Sequence, residues 1–140
     1  MQDDFKLKQL VLNRDFTIEK LESDSEFFHL ISQRKILITG FIVYDVEVEL
    51  DDIGKIRCSF QFQNQRLKYV MLYPDYREFL IEPERWNHPT VDGFVENEAC
   101  IKWMERYLSY QNEKCYSWGI VREVYEPWNG RAMCICEFTV

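Results

Sequence analysis

The chain is poor in the residues that most often build active sites. It has two histidines, His29 and His88, and five glycines in 140 residues. With so little glycine a phosphate-cradling loop is hard to assemble, and neither GxGxxG nor a P-loop pattern occurs; HExxH and GxSxG are missing as well. The five cysteines (Cys58, Cys100, Cys115, Cys134, Cys136) include no CxxC pair. An odd number cannot all pair within one chain, so buried thiols in a reducing compartment, the cytoplasm by default, are expected rather than a disulfide framework. Cys134 and Cys136 lie two apart on an expected strand and face one way. A zinc site would still want a second close pair or nearby histidines, so neither metal nor cofactor is expected. The opening Met1-Gln2-Asp3-Asp4-Phe5-Lys6 lacks the basic start and apolar stretch of a secretion signal. No uncharged apolar run approaches the roughly 18 residues that span a bilayer, so no membrane partner is expected.

Positive charge is also in short supply. Seventeen Lys and Arg stand against 24 Asp and Glu, a net charge of −7. That sign repels phosphate backbones and speaks against nucleic acid, while the same field attracts a basic protein.

What the chain does have is apolar material: 46% hydrophobic residues, 16% aromatic. This is far from the composition of disordered chains. The length suits one core, and no repeat, low-complexity tract or linker divides it, so residues 1–140 read as one domain.

The N-terminal third reads as mostly helical. Ile18, Leu21, Phe28 and Ile31 recur at helix-like spacing, and Ser25 or Asp24 would cap a short helix carrying Phe27, Phe28, Leu30 and Ile31. From Lys35 to Tyr73 the period becomes two. Three strands follow, over about 36–49, 55–63 and 66–73. A five-residue loop, 50–54, sets Val48 against Ile56, Val46 against Cys58 and Tyr44 against Phe60, with Glu49 facing Lys55 and Glu47 facing Arg57. A four-residue loop would bring Glu47 and Glu49 onto the apolar side, so the longer loop is preferred. A two-residue turn at Asn64-Gln65 then pairs Phe62 with Leu67, Phe60 with Tyr69, Cys58 with Met71 and Gln61 with Lys68. The resulting meander has one apolar and one charged face.

A helix over about 94–111, with Asp92 as its N-cap, supplies the cover, because Cys100, Trp103, Met104, Tyr107 and Leu108 fall on one stripe. The chain closes with strands over about 115–125 and 131–140 around Pro127-Trp128-Asn129-Gly130, a hairpin signal. Arg122 and Glu123 leave a charge near Cys134 in either alignment, which predicts a bulge or an exposed edge. The expected class is α+β: an antiparallel sheet of about five strands (three-stranded meander plus C-terminal hairpin) packed on one main helix, with N-terminal helical segments.

Function is less directly written. Asp45, Glu47, Glu49, Asp51 and Asp52 form a run of carboxylates without a base, and in this register Asp45, Asp51 and Asp52 are the least compensated. Trp86 and Trp128 sit in segments that normally go polar. Each is either an interface anchor or folded back on the core. The expectation is a small acidic cytoplasmic protein that binds a basic partner protein through Asp45, Asp51, Asp52, Trp86 and Trp128, in concrete form an immunity or inhibitor protein occluding a basic toxin or nuclease. One alternative is an enzyme or small-ligand domain in the non-periodic stretch 74–93, using His88 with Glu84 or Asp92. Another is a homodimer paired edge to edge through the terminal hairpin.

Overall fold

The computed structural model describes residues 5–7, 10–23, 28–36, 38–50, 54–88, 93–108, 115–116, 118–127 and 129–139. Asp51, Asp52, Asp92 and Trp128 lie outside them. The alternating segment, 35–73, forms the strands β4 (Phe41–Leu50), β5 (Gly54–Gln63) and β6 (Arg66–Tyr73), the first beginning at Phe41 rather than near 36; before them come β1 (Phe5–Leu7), β2 (Leu10–Leu12), helix α1 (Ile18–Ser23) and β3 (Phe28–Ile36). The β4–β5 register is the one that sorts both faces: Val48 opposite Ile56, Val46 opposite Cys58, Tyr44 opposite Phe60, Glu47 opposite Arg57 and Glu49 opposite Lys55. Asn64 and Gln65 take positive φ (52° and 65°), as a two-residue hairpin turn with right-handed strand twist requires.

Beyond that turn the register departs from expectation. Phe62 faces Leu67, but an irregularity next to Gln61 sets Gln61 against Tyr69, Phe60 against Val70 and Cys58 against Leu72. Skipping Lys68 lets the aliphatic Val70 and Leu72 enter the core, where both are fully buried, and turns Tyr69, Met71 and Tyr73 to the opposite face. Simple alternation cannot reveal such a step.

The second departure is at the N-terminus. Phe28 to Ile31 is not a capped helix but the start of β3, pairing antiparallel with β4 (Phe28 opposite Val48, Leu30 opposite Val46). A short apolar run fits periods of two and 3.6 almost equally, and here the hydrogen bonds offered by the open side of β4 decide it. α1 is a genuine helix, its Lys20 amide donating to the Thr17 hydroxyl at 3.2 Å.

Two further strands, β8 (Gly119–Glu126) and β9 (Arg131–Phe138), form the terminal hairpin, and the two-residue β7 (Cys115–Tyr116) adds to β8. The full sheet has seven strands, in the order β3-β4-β5-β6-β9-β8-β7, with β1 and β2 as a separate pair. The last strand is therefore interior. β9 is apolar on both sides, with Cys134, Cys136 and Phe138 alternating with Met133 and Ile135, all buried, whereas β8 carries Arg122 and Glu123. A strand greasy on both faces belongs in the middle of a sheet, and the charged one takes the position nearer the edge. Glu123 does sit opposite Cys134 and Arg122 opposite Ile135, with no register shift in the hairpin, so the expected irregularity takes the form of an edge rather than a bulge.

Helix α2 (Phe94–Tyr107) covers one face with Ala99, Cys100, Trp103 and Met104. At the other end of that face Leu12, Phe16 and Leu21 close over β4 and β5. The Phe16 ring lies 5.9 Å from Phe60 and 6.2 Å from Phe28. This is the α+β arrangement anticipated, with more strands. No helix among the described residues is long and apolar enough to cross a membrane.

Candidate functional site

The stretch 74–88, non-periodic in sequence, is ordered by a chain of aromatic and ionic contacts. Two short 3-10 turns, Arg77–Phe79 and Pro83–Trp86, carry it across the end of the sheet. The buried Tyr76 hydroxyl accepts a hydrogen bond from the Ala132 amide at 3.0 Å. Trp86 packs edge-on to Tyr76 at 5.0 Å, with the Arg131 guanidinium 4.0 Å and that of Arg77 5.2 Å from its ring. Asp75 binds Arg77 through both carboxylate oxygens, and that guanidinium holds its carboxyl below the usual range. Trp86 is thus half-buried between two cations rather than free in solvent.

Between this segment and α2 runs a groove of about 190 Å³, lined by Phe79, Ile81, Glu82, Val95, Glu98, Ala99 and Lys102. Positions 95, 98, 99 and 102 form one helical stripe, flanking the stripe that α2 buries in the core. The Tyr107 hydroxyl donates to Glu78 at 2.6 Å, and Phe79 lies edge-on to the Tyr107 ring at 6.4 Å, which ties the turn to the C-terminal end of α2. Ile81, which lines the groove, is 93% exposed. A lone exposed apolar side chain needs no explanation, but one that lines an apolar groove does. The rim is acidic. Glu82, Glu98 and Lys102 line it, Glu105 continues the stripe of Glu98 and Lys102, and Arg106 is turned onto the Tyr107 ring at 5.6 Å. The groove is well below the roughly 300–1,000 Å³ of a cofactor or substrate pocket. It is close to the size of an apolar cavity of about 150 Å³ that takes one benzene ring. It has room for a single apolar side chain.

The sheet face away from α2 holds a second depression, an open polar cleft of about 590 Å³ lined by Ser32, Arg34, Asp45, Arg57, Tyr73, Glu126 and Asn129. In a flat sheet β3 and β8 would stand about 24 Å apart, five steps of about 4.8 Å. That Ser32 and Glu126 border one cleft shows how far the sheet curls. Asp45 is buried here, accepting from the Ser32 hydroxyl at 2.8 Å and facing Arg34 at 3.4 Å. Glu126 accepts from Asn129 at 2.9 Å, and on the same face Lys68 and Glu137 pair at 3.6 Å. The Tyr73 hydroxyl is held above its ordinary pKa by burial first and by Glu126 and Asp45 second, with Arg57 and Arg34 opposing. The charges of this cleft are largely spent on one another.

The residues singled out in the sequence do not converge. Asp45 is neutralised by Arg34 and contributes to no open acidic patch, and Trp86 is half-buried against Tyr76 and Arg131 and lines neither the groove nor the cleft. His88 and Glu84 are exposed and line neither the groove nor the cleft. Among the described residues no three His, Cys, Asp or Glu side chains are placed to hold a metal ion. The groove residues Phe79, Ile81, Val95 and Ala99 carried one signal that sequence reasoning passed over: Phe79-Leu80-Ile81 is an apolar run inside an otherwise mostly polar and prolyl stretch.

Compared with protein-family models, curated proteins and solved structures, the chain matches none.

Proposed function

We propose that the protein is a binding module that engages a basic partner protein, with the groove between Phe79–Glu82 and α2 as the anchor site. The observation that carries this reading is Ile81, 93% exposed, lining an apolar groove of about 190 Å³ that Glu82 and Glu98 also line. Binding energy in interfaces concentrates where one apolar anchor fills a pocket that surrounding contacts keep dry. A carboxylate rim selects lysine and arginine around that anchor and speeds encounter. The net charge of −7 supports a basic partner for the same reason. In its most concrete form the protein is an immunity or inhibitor protein that occludes a basic toxin or nuclease. Four buried, free thiols, Cys58, Cys100, Cys134 and Cys136, support work in the cytoplasm.

The test uses a fluorescent leucine- and lysine-rich peptide as probe and anisotropy as readout. Saturable binding that weakens with salt is expected, at least ten-fold weaker in Ile81→Asp and in Glu82→Lys with Glu98→Lys. Equal binding of an acidic peptide, or indifference to these substitutions, overturns the reading. Loss in Asp51→Lys with Asp52→Lys instead moves the contact to the β4–β5 bend.

A further inference from the structure

Of the seven large apolar side chains exposed among the described residues, four belong to one segment: Leu30, Ile31 and Ile36 on β3, and Ile38 on the turn that follows. β3 ends the sheet, so its outer row of backbone N–H and C=O groups pairs with no strand among the described residues. Nine residues give this edge a length of about 30 Å, enough to template another strand. Its charge is the reverse of the molecule's. Residues 27–44 contain none of the chain's 24 carboxylates, in a protein of net charge −7; Arg34 is held by Asp45 of β4, and Lys35 is the exposed cation of the edge.

We propose that the outer edge of β3 is a docking edge for an extended acidic segment of a partner protein, which adds to the sheet as a further strand. This surface is separate from the groove and does not rest on it. Backbone hydrogen bonds supply the attachment. Apolar side chains of the incoming strand lie beside Ile36 on the cleft side, and its carboxylates lie beside Lys35 on the α2 side, Arg34 being held by Asp45.

A second copy of this chain is the poorer occupant, for reasons of register. The shift between Leu30 and Ser32 turns Phe28 and Leu30 to the α2 side, but Ser32, Arg34 and Ile36 to the cleft side. Antiparallel self-pairing centred on Ser32 or Gln33 sets Leu30 opposite Arg34 or Ile36, which point to the other face. Centred on Arg34 or Lys35, it sets like charges directly opposite, which is destabilising. Lys35 and the irregularity at Ile31 are the devices by which proteins guard an edge against their own kind. An acidic strand meets that guard as a complement.

The experiment measures anisotropy of a labelled nine-residue peptide alternating valine and glutamate. Saturable binding is expected, at least ten-fold weaker for the valine–lysine counterpart. Of two peptides N-methylated along one edge or the other, one loses binding and one keeps it, as strand addition demands. Lys35→Glu lowers affinity for the glutamate peptide, while Ile81→Asp leaves it unchanged, which separates this edge from the groove. Absence of saturable binding at low salt overturns the proposal. So does equal binding of both N-methylated peptides, or a sedimenting dimer that Lys35→Glu disperses.

Discussion

The Tyr76 hydroxyl takes a hydrogen bond from the Ala132 amide at 3.0 Å, joining residues 56 positions apart at the point where the β6–β9 ladder stops. The last pair in that ladder is Leu72 with Cys134, and Pro74, which has no N–H, ends β6 as a pairing strand. β9 continues to Arg131 with its side toward β6 uncovered, and Tyr76 supplies the acceptor the missing strand would have given. The same ring is the floor on which Trp86 rests, so one hydroxyl both satisfies the sheet and seats the segment that forms the groove.

Tyr76→Phe removes that acceptor and leaves a buried amide unpaired. The expected cost is about 1–3 kcal/mol in urea unfolding. Tyr73→Phe is the control. Its hydroxyl makes only a long contact of 3.8 Å to the Met71 sulfur, and a change within about 0.5 kcal/mol is expected. Equal losses in the two variants would show that Tyr76 acts through packing alone.

A methyl group at Gly119 has nowhere to go. A Cβ there would stand 1.8 Å from the backbone carbonyl oxygen of Glu137 on the adjacent strand. Gly119→Ala is expected to destabilise by more than about 2 kcal/mol, because a paired strand must move to admit it. At Gly40 nothing lies within 4 Å, and only its positive φ of 75° resists alanine. Gly40→Ala should cost about 1 kcal/mol. Thermal melts of the two variants check the ranking.

The buried thiols make stability depend on alkaline pH. Burial pushes the Cys58 and Cys100 thiols far above their ordinary range, and a hydrogen bond with Cys136, together with burial, does the same to Cys134. Tyr76 is pushed up to about 12, chiefly by burial. The folded chain therefore holds protons that the unfolded chain releases above a thiol pKa of about 8.5, so the stabilising contribution is full below that pH and declines as pH rises past it. Urea midpoints from pH 7 to pH 10 should fall monotonically. In the native protein at pH 8, Ellman's reagent should leave Cys58, Cys100, Cys134 and Cys136 unmodified, and all four should react on unfolding. Rapid native labelling of any of them would contradict their burial.

Removing the Asp45 carboxylate strands the Ser32 hydroxyl and the Arg34 guanidinium. Asp45→Ala is expected to cost about 1–2 kcal/mol, and Asp45→Asn less, since an amide oxygen still accepts from Ser32. If the probe peptide for the groove binds both variants like the parent protein, the contribution of Asp45 is structural. A large loss of binding without loss of stability would place the partner in the cleft instead.

The sequence alone determined the local pairings. Glu47 with Arg57 and Glu49 with Lys55 have one register that keeps charge out of the apolar face, and Asn64-Gln65 and Asn129-Gly130 announce tight turns, because these depend on residues near each other in the chain. The stripe of Cys100, Trp103 and Met104 likewise needs only the helical period. Tertiary structure decided what depends on partners far along the chain: that Phe28–Ile36 is a strand, that Lys68 is skipped, that β9 lies inside β8, and that Asp45 meets Arg34. A period of two or 3.6 tells which side of an element is apolar. It does not tell which hydrogen-bonding edge or cation will stand beside it, because that is settled by competition among all the strands for burial and for backbone pairing.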